Sequence, residues 1–298
     1  MSADSVLDLI GNTPLLPLQH MVRPGMAQVL LKMEAFNPSG SLKDRVVKYI
    51  IDQAEADGTI RPEHIITDAS SGNTGIATGM VAALKGYRSR IYMPETKSIE
   101  RRKIMRVWGT ELVLTTGEDQ NSHIWAVQEA AKDTERFFYL DQNGNPGNWL
   151  AHYHGTGSEI IEQTGGRVDV FVAGVGTGGV LMGVAGCLRD AAIRSRIVAI
   201  EPASPHSHIE GLLHFDGSYV PPIWDPELID EQIRVTDEDA FSTARRLARE
   251  EGLFCGPSTG AAVFVALREA ERLGEGKTVV TVAGDRGERY LSTSLVPA

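Results

Sequence analysis

One lysine stands at the point where a polar turn gives way to a predicted helix. The turn is formed by residues 37–45, Asn-Pro-Ser-Gly-Ser-Leu-Lys-Asp-Arg, in which the lysine is Lys43. A helix N-terminus and burial both destabilise an ammonium ion, so an amine at this position can be neutral and attack an aldehyde. For a lysine considered alone, a solvated side chain paired with Asp44 is the more common outcome.

A second polar loop consists of residues 70–75, Ser-Ser-Gly-Asn-Thr-Gly, between a predicted strand and a predicted helix. Its hydroxyl, amide and backbone N–H groups could bind a carboxylate at the helix start. The same residue types are also ordinary helix caps. Alone, the loop therefore indicates either an anion site or a polar cap.

Two further loops contain glycine. Residues 174–179, Gly-Val-Gly-Thr-Gly-Gly, could close their backbone around a phosphate at a helix N-terminus. A dinucleotide site uses similar glycines, but this loop does not follow the first strand of a βαβ unit, and the acidic Glu201 that ends the next strand is followed by Pro202. Residues 256–262, Gly-Pro-Ser-Thr-Gly-Ala-Ala, place Ser258 where it could hydrogen-bond a pyridine nitrogen or simply cap a helix.

The elements that must position these loops alternate between short apolar strands and helices. Such alternation is typical of α/β proteins whose mostly parallel sheets are covered by helices. Helices are predicted over residues 44–57, 75–85 and 98–108, each followed by or ending near a glycine (Gly58, Gly86 and Gly109). Strands are predicted over residues 29–33, 65–68, 91–93, 111–114, 137–140, 168–173, 197–201 and 278–283.

Two turn-rich stretches interrupt this alternation. Residues 141–148 are the best candidate for a crossing between two α/β lobes, and ligands would then bind between the lobes. Residues 212–230 contain Pro221, Pro222 and Pro226 and are predicted to form a long surface loop. The length of 298 residues fits two domains of ordinary size.

Composition argues against several classes of function. The net charge of −10 disfavours nucleic acid and anionic membranes as partners, and no apolar run approaches the about 18 residues that span a membrane. Cys187 and Cys255 lie far apart and form neither a disulfide framework nor a metal motif. Since the N-terminus has no signal-peptide pattern, we expect a soluble cytoplasmic protein that binds small metabolites or other proteins.

Taken together and in this order, the four loops resemble those of fold-type II pyridoxal-phosphate enzymes, specifically the cysteine synthase family. The resemblance runs from Ile-Gly-Asn-Thr-Pro-Leu at residues 10–15 to Arg-Tyr-Leu-Ser-Thr at residues 289–293. It is greatest for the cysteine synthase B (O-acetylserine sulfhydrylase B) branch, on residues 85–87, 100–102, 165–166, 254–256 and 285–293. It implies a two-domain α/β fold of the tryptophan synthase β type. The larger, cofactor-binding domain would comprise residues 1–38 and 147–298, and a smaller mobile domain, residues 39–146, would carry Lys43 and the carboxylate-binding loop.

The resemblance also implies roles for individual residues. Lys43 would carry pyridoxal 5′-phosphate as a Schiff base and act as the catalytic base. The remaining cofactor-binding residues would be Asn73 at the 3′ oxygen, Ser258 at the pyridine nitrogen, and Gly176, Thr177, Gly178, Gly179 and Val180 at the phosphate. The substrate carboxylate would be bound by Ser70, Ser71, Gly72, Thr74 and Gln142. A homodimer is implied, a serine acetyltransferase of the same pathway is a candidate partner, and no metal is expected.

The implied reaction is a β-replacement that converts O-acetyl-L-serine and sulfide to L-cysteine and acetate through an aminoacrylate intermediate. Thr74 stands where related dehydratases carry histidine, and an uncharged serine at the pyridine nitrogen disfavours long-lived carbanions; both features favour replacement. Arginine occurs near residues 213 and 214 in branches that use O-phosphoserine or thiosulfate. This chain has Leu213 and His214 there, which favours O-acetylserine because a phosphate would lose its bidentate partner.

Other reactions stay open at this point. O-phosphoserine is the alternative acceptor, while thiosulfate, giving S-sulfocysteine, and homocysteine, giving cystathionine, are alternative donors. A catalytically weak homologue that serves as a binding or regulatory partner is the non-enzymatic alternative, and the retained Lys43 argues against it. Val180, Asn143 and Ser158 depart from the family pattern, in which threonine, an aromatic residue and proline are usual. Arg101, Arg102 and Arg106 are expected to form a solvated basic helix face.

Overall fold

The computed structural model describes residues 3–116, 121–216 and 220–297. These ranges contain ten strands and nine α-helices, together with short 3₁₀ turns and one π-helical segment, His152–Gly157. The strands are β1 (Leu15–Pro17), β2 (Gln28–Lys32), β3 (Ile65–Ala69), β4 (Arg88–Pro94), β5 (Glu111–Thr115), β6 (Phe137–Tyr139), β7 (Val170–Gly174), β8 (Arg196–Pro202), β9 (Glu231–Val235) and β10 (Thr278–Val282). The α-helices are α1 (Lys43–Ala56), α2 (Asn73–Lys85), α3 (Ile99–Val107), α4 (Ser122–Ala130), α5 (Gly147–Ala151), α6 (Ser158–Thr164), α7 (Gly179–Asp190), α8 (Asp237–Glu250) and α9 (Pro257–Leu273).

The larger sheet has the strand order β1-β2-β10-β7-β8-β9 and is parallel except for β1. Alternate residues of β7 point to opposite faces. Val170 and Val172 pack in the apolar cluster that includes α9, whereas Phe171 and Ala173 pack in the cluster that includes α7. Because helices cover both faces, the inner strands are apolar at nearly every position.

The smaller sheet has the order β5-β4-β3-β6 and is wholly parallel. All five residues of the inner strand β3 are buried. On one face Ile66 packs with Val47 of α1 and Ala77 of α2, and on the other Ala69 packs with Ile124 of α4. The predicted α/β class with two mostly parallel sheets flanked by helices is confirmed.

The polar loop and the glycine loop that the sequence singled out lie at the carboxyl ends of these parallel strands. In the smaller sheet, β3 passes through residues 70–72 into α2, and in the larger sheet β7 passes through residues 175–178 into α7. Residues 140–146 connect β6 to α5, and the next strand in the chain, β7, belongs to the larger sheet. Open α/β sheets bind ligands at such edges.

Most of the predicted elements are present. All eight predicted strands occur, as β2 to β8 and β10, and the three predicted helices occur as α1, α2 and α3. Gly58, Gly86 and Gly109 have φ values of 75°, 80° and 79°, the left-handed conformation that ends a helix. No helix in the described ranges is both long and apolar enough to span a membrane.

The prediction missed the two edge strands of the larger sheet. β1 and β9 have only one buried residue between them, and their half-exposed residues mix polar and apolar types. Edge strands lack the apolar signal of a strand that is covered on both faces. The described part of the loop predicted over residues 212–230 contains one short 3₁₀ turn, Pro226–Leu228, and residues 217–219 of this loop lie outside the described residues.

Candidate active site

Lys43 is the first residue of α1, and its side chain points toward the glycine loop of the larger sheet. Its Nζ atom lies 3.4 Å from Oγ1 of Thr177. Burial of the amine lowers its pKa from 10.5 to about 8, although the negative charge of Asp68 opposes the change. The alternative of a solvated lysine paired with Asp44 is wrong, because the buried Asp44 carboxylate instead accepts hydrogen bonds from the backbone N–H (2.6 Å) and hydroxyl of Ser39.

Asp68 is a buried carboxyl group at the carboxyl end of β3, and the sequence patterns did not single it out. Its Oδ1 atom accepts a hydrogen bond from the N–H of Ala69 (2.9 Å), and Oδ2 accepts one from the N–H of Gln142 (3.4 Å). Burial, together with the nearby charge of Asp141, raises the pKa of Asp68 to about 8, while Lys43 pulls in the opposite direction. A single acid in an otherwise apolar strand was the available sequence signal.

The carboxylate-binding loop predicted over residues 70–75 has its hydroxyl groups in distinct positions. Oγ of Ser70 accepts from the N–H groups of Gly72 (3.1 Å) and Gly75 (3.0 Å), which fixes the turn into α2. Oγ1 of Thr74 donates to Oε1 of Gln142 (2.5 Å), and Nε2 of Gln142 donates to the Ala69 carbonyl (2.7 Å). The fold therefore brings Gln142 from the β6–α5 connection to this loop.

Asn73 is held by residues from the C-terminal part of the chain. Its Nδ2 donates to Oδ2 of Asp285 (2.7 Å), and its Oδ1 accepts from Nη1 of Arg289 (2.6 Å). The hydroxyl of Tyr290 also donates to Asp285 Oδ2 (2.6 Å), and Nη2 of Arg289 donates to the Ser39 carbonyl (2.7 Å). The amide of Asn73 thus has one fixed orientation, set by Asp285 and Arg289. The sequence patterns had given these two residues no role at Asn73.

The glycine loop needs its glycines for close approach. Gly178 has φ 86°, in the left-handed region. A Cβ atom at Gly176 would overlap the Gly211 carbonyl oxygen, and one at Gly179 would overlap Oδ1 of Asn148. Helix α7 begins at Gly179, whose N–H makes a long hydrogen bond (3.4 Å) to Oγ1 of Thr177. The residue before it, Gly178, provides no side-chain cap, so the N–H groups that follow in the first turn could bind an anion. Nδ2 of Asn148 donates to Thr177 Oγ1 (2.9 Å) and fixes the loop from the α5 side.

Val180 and Ser258 occupy helix starts on the larger sheet. Val180 is buried in the first turn of α7 and packs in the apolar core, so it offers its backbone N–H but no hydroxyl. Ser258 is the second residue of α9, a helix that also begins without a side-chain cap. The start of α9 lies against the segment that binds Asn73, because the Gly256 N–H donates to the carbonyl of Asp285 (3.2 Å).

Leu213 and His214 stand at the positions used to choose between O-acetylserine and O-phosphoserine, and neither supplies an unpaired cation. Leu213 donates its backbone N–H to the Val175 carbonyl (2.7 Å) beside the glycine loop. His214 is buried, and its Nδ1 lies 2.9 Å from the Pro202 carbonyl. Two carboxylates lie near its ring, those of Glu201 at 3.7 Å and Asp216 at 3.6 Å. Its polar neighbours thus hold His214 away from an anion-binding role.

Arg101 differs most from its sequence interpretation. We expected it to be solvated, but only 2% of its surface is exposed. Its Nη1 donates to the Ser71 carbonyl (3.3 Å), and its guanidinium lies 4.6 Å from the centre of the Tyr290 ring. Helical spacing cannot reveal this burial, since Arg101 is covered by residues distant in sequence.

Comparisons with known proteins agree with this architecture. A family model described as "Pyridoxal-phosphate dependent enzyme" matches residues 6–285. The chain is 40% identical over 303 aligned positions to cysteine synthase of Staphylococcus aureus (strain Mu50), covering 98% of this chain and 96% of that protein. It is 43% identical over 288 positions to cysteine synthase B of Escherichia coli (strain K12), covering 96% and 94%.

Solved structures give the same result. An O-ureido-L-serine synthase matches with a TM-score of 0.94 and 40% identity, over 99% of this chain and 95% of that chain. A cysteine synthase from Entamoeba histolytica matches with a TM-score of 0.93 and 38% identity, over 100% and 92% of the respective chains. The chain therefore belongs to the family of pyridoxal-phosphate-dependent enzymes and, within it, to the cysteine synthases.

Proposed function

We propose that this enzyme replaces the acetoxy group of O-acetyl-L-serine with sulfide, giving L-cysteine and acetate. The observation that carries the proposal is the position of the Lys43 amine, 3.4 Å from the hydroxyl of Thr177 in the glycine loop. A reactive amine, an anion-binding helix start and a polar loop for a carboxylate then converge on one cleft. Membership in the cysteine synthases supports this choice of reaction.

The residues present fit pyridoxal phosphate. The start of α7 has no side-chain cap, and Gly176 and Gly179 pack so closely against Gly211 and Asn148 that a Cβ atom would not fit. Such a loop can turn its backbone N–H groups toward a phosphate. We assign the phosphate to residues 176–180, the 3′ oxygen to Asn73, the pyridine nitrogen to Ser258 and the aldehyde to Lys43. The bound cofactor supplies an electron sink for bond breaking at the α-carbon of the amino acid.

Lys43 would both hold the cofactor and move the α-proton. With a pKa of about 8, a useful fraction of its amine is neutral near neutral pH. The same property lets Lys43 accept a proton once substrate has displaced it. Oγ1 of Thr177 lies within reach of its Nζ and would orient the free amine.

The amino-acid carboxylate is assigned to Ser70, Ser71, Gly72, Thr74 and Gln142. Hydroxyl and amide groups bind a carboxylate best when they are already fixed, because less rotamer entropy is then lost on binding. Thr74 and Gln142 are fixed in this way: the Thr74 hydroxyl donates to Gln142, and one amide N–H of Gln142 donates to the Ala69 carbonyl. The second amide N–H of Gln142 is then the side-chain donor of this pair that would bind the carboxylate. Ser70 acts by shaping the loop, because its Oγ accepts from two backbone N–H groups.

The proposed acceptor is O-acetylserine rather than O-phosphoserine. The sequence favoured it because residues 213 and 214 are not arginine, and the contacts of these two residues give the same preference. A phosphate dianion needs a cation near the β-substituent. Leu213 has none to offer, and the ring of His214 lies near two carboxylates. Sulfide is the donor we propose, with thiosulfate and homocysteine as the donors to compare, because related enzymes differ in the compound they add: one matched structure is an O-acetylserine-dependent cystathionine β-synthase.

The wider setting is part of the same proposal. We infer a cytoplasmic homodimer, with a serine acetyltransferase as a candidate partner at the cleft. We also infer a larger domain of residues 1–38 and 147–298 and a smaller mobile domain of residues 39–146. In support of this division, every strand of the smaller sheet falls between residues 65 and 139.

The test is spectroscopic. Protein loaded with pyridoxal phosphate should show a visible absorbance band that shifts on adding O-acetyl-L-serine and returns on adding sulfide, with L-cysteine and acetate formed. Lys43→Ala should abolish the shift and the turnover. Lys48→Ala, in the same helix but ion-paired with Asp52 on the surface, should behave as the wild type. A band that responds only to O-phosphoserine would overturn the choice of acceptor, and unchanged behaviour of Lys43→Ala would overturn the enzyme assignment.

A further inference from the structure

The carboxylate-binding loop, residues 70–75, packs against the buried side chain of Arg101; we call it the carboxylate loop. Besides the hydrogen bond from Nη1 to the Ser71 carbonyl, the guanidinium occupies the space next to Gly72, where any Cβ atom would overlap it. The exposed fraction of Arg101 is 2%. A displacement of this side chain would therefore remove the group against which Ser71 and Gly72 pack.

Arg101 also forms an ion pair with Glu210, which belongs to the segment that follows β8. The side chain of Glu210 is 17% exposed, so water screens the pair little. The guanidinium is stacked on the Tyr290 ring at the same time. These three contacts hold Arg101 against protein groups, although its buried Nε atom has no hydrogen-bond partner among the described residues.

The residues after Glu210 lie against the glycine loop. We call residues 210–213 the strap. The Leu213 N–H donates to the Val175 carbonyl (2.7 Å), the side chain of Leu212 covers Gly174, and the Gly211 carbonyl lies against Gly176. The strap therefore contacts the proposed phosphate site at one end and Arg101 at the other.

We propose that Arg101 is a positioning residue whose ion pair with Glu210 fixes the carboxylate loop relative to the glycine loop. The two loops belong to different sheets, and the pair links them across the cleft through the strap. A substrate whose carboxylate is bound at one loop is then held at a set distance from Lys43 and the phosphate site. This inference rests on the proposed function for the identity of the substrate, but the link itself concerns only residues of this chain.

The link predicts a specific pattern of kinetic defects. Arg101→Met should raise KM for O-acetyl-L-serine about tenfold, the scale of coupling between contacting residues, and leave kcat within about twofold. Arg101→Lys should recover part of the loss, because it keeps the charge but not the planar group that stacks on Tyr290. Adding Glu210→Gln to Arg101→Met should cost little more, since the two changes remove the same interaction.

A control comes from the same helix. Arg102 is partly exposed, and its Nη2 atom donates to the nearby Lys97 carbonyl (2.9 Å). Arg102→Met should therefore leave KM and kcat unchanged. Binding of L-serine, followed by the absorbance of bound pyridoxal phosphate, should weaken in Arg101→Met and not in Arg102→Met.

Hydrogen exchange of the cofactor-loaded enzyme tests the link without any turnover. In Arg101→Met, amides of residues 70–75 and of the strap should both exchange faster, while those of α9 stay as in the wild type. Faster exchange in only one of the two loops, or additive KM effects in the double variant, would overturn the inference. If the wild type fails to turn over O-acetyl-L-serine, the proposed function fails while the exchange result still decides the link. If Arg101→Met does not fold, the exchange of residues 70–75 and of the strap is measured in Arg101→Lys and Glu210→Gln instead.

Discussion

The Nζ atom of Lys43 lies 3.4 Å from Oγ1 of Thr177, although the two residues come from different loops and are 134 positions apart in sequence. The first belongs to α1, and the second to the glycine loop that precedes α7. Their proximity places a partly buried amine beside the start of a helix that can bind an anion. Two predictions follow from the chemical consequences of this arrangement.

The first prediction concerns the pH dependence of Lys43. The rate at which cofactor-free protein captures pyridoxal phosphate should rise about tenfold between pH 7 and pH 9, because the neutral amine forms as pH passes its pKa of about 8. Stopped-flow absorbance measures this rate. Asp68 carries its negative charge only above its own pKa of about 8, and that charge raises the pKa of Lys43. Asp68→Asn removes it, so the midpoint should shift to lower pH. A midpoint near 10.5 would show that the amine is solvated.

The same pKa has a consequence for stability. Between pH 8 and 10.5 the unfolded chain holds the Lys43 proton and the folded chain does not, so the free energy of unfolding of cofactor-free protein should rise with pH across this window. Lys43→Met removes this contribution. Denaturant titrations at pH 8 and pH 10.5 on both proteins would measure the difference. An equal change in the free energy of unfolding with pH in wild type and variant would contradict the prediction.

The third prediction concerns close approach at the glycine loop. In Gly176→Ala the new Cβ would overlap the Gly211 carbonyl oxygen, a backbone atom that cannot move without shifting the strap. We expect pyridoxal phosphate to dissociate faster and Tm to fall. Gly186→Ala, inside α7, is the matched control. Its Cβ would lie 3.5 Å from the Tyr153 ring, an ordinary contact, and alanine is favoured over glycine in a helix by about 1 kcal/mol. Equal cofactor release in the two variants would argue against this account of the loop.

The sequence was most informative where periodic burial or a special backbone conformation leaves a mark. Inner strands such as β3 and β7 are covered on both faces and read as apolar runs, and the glycines that end helices take positive φ. The order of the four polar loops was also visible. The family resemblance that this order carries implied that Lys43 and the glycine loop would act at one site.

What the sequence did not reveal is which charged residues are buried. Arg101 lies in a helix with a polar composition, and its partner Glu210 lies in an irregular segment, so no local pattern joins them. The bond between Asn73 and Asp285 joins residues 212 positions apart. Such pairs are fixed by tertiary packing, and neither spacing nor propensity encodes them locally.

A buried ion network gives the fourth prediction, because it anchors the helix that carries Lys43. Arg45, in the first turn of α1, donates to both oxygens of Glu159 in α6 (2.6 and 2.7 Å) and to Glu34 (2.7 and 2.8 Å). Lys32 of β2 lies 2.6 Å from Glu159. Burial disfavours the charge on Glu159, but Arg45 and Lys32 outweigh it and lower the pKa of Glu159 to about 2.

Glu159→Gln should therefore lower the free energy of unfolding at pH 7 by about 3 kcal/mol, since buried Lys32 loses its ion-pair partner while Arg45 keeps Glu34. In the wild type, the contribution of Glu159 is fully present above pH 4.5 and is lost as pH falls toward 2. The variant should accordingly show a flatter decline of stability between those pH values. Glu250→Gln, which breaks the exposed pair with Arg246, should change little. Denaturant unfolding of all three proteins at pH 7 and at pH 3 makes the comparison, and equal losses in the two variants would mean that the network does not anchor α1.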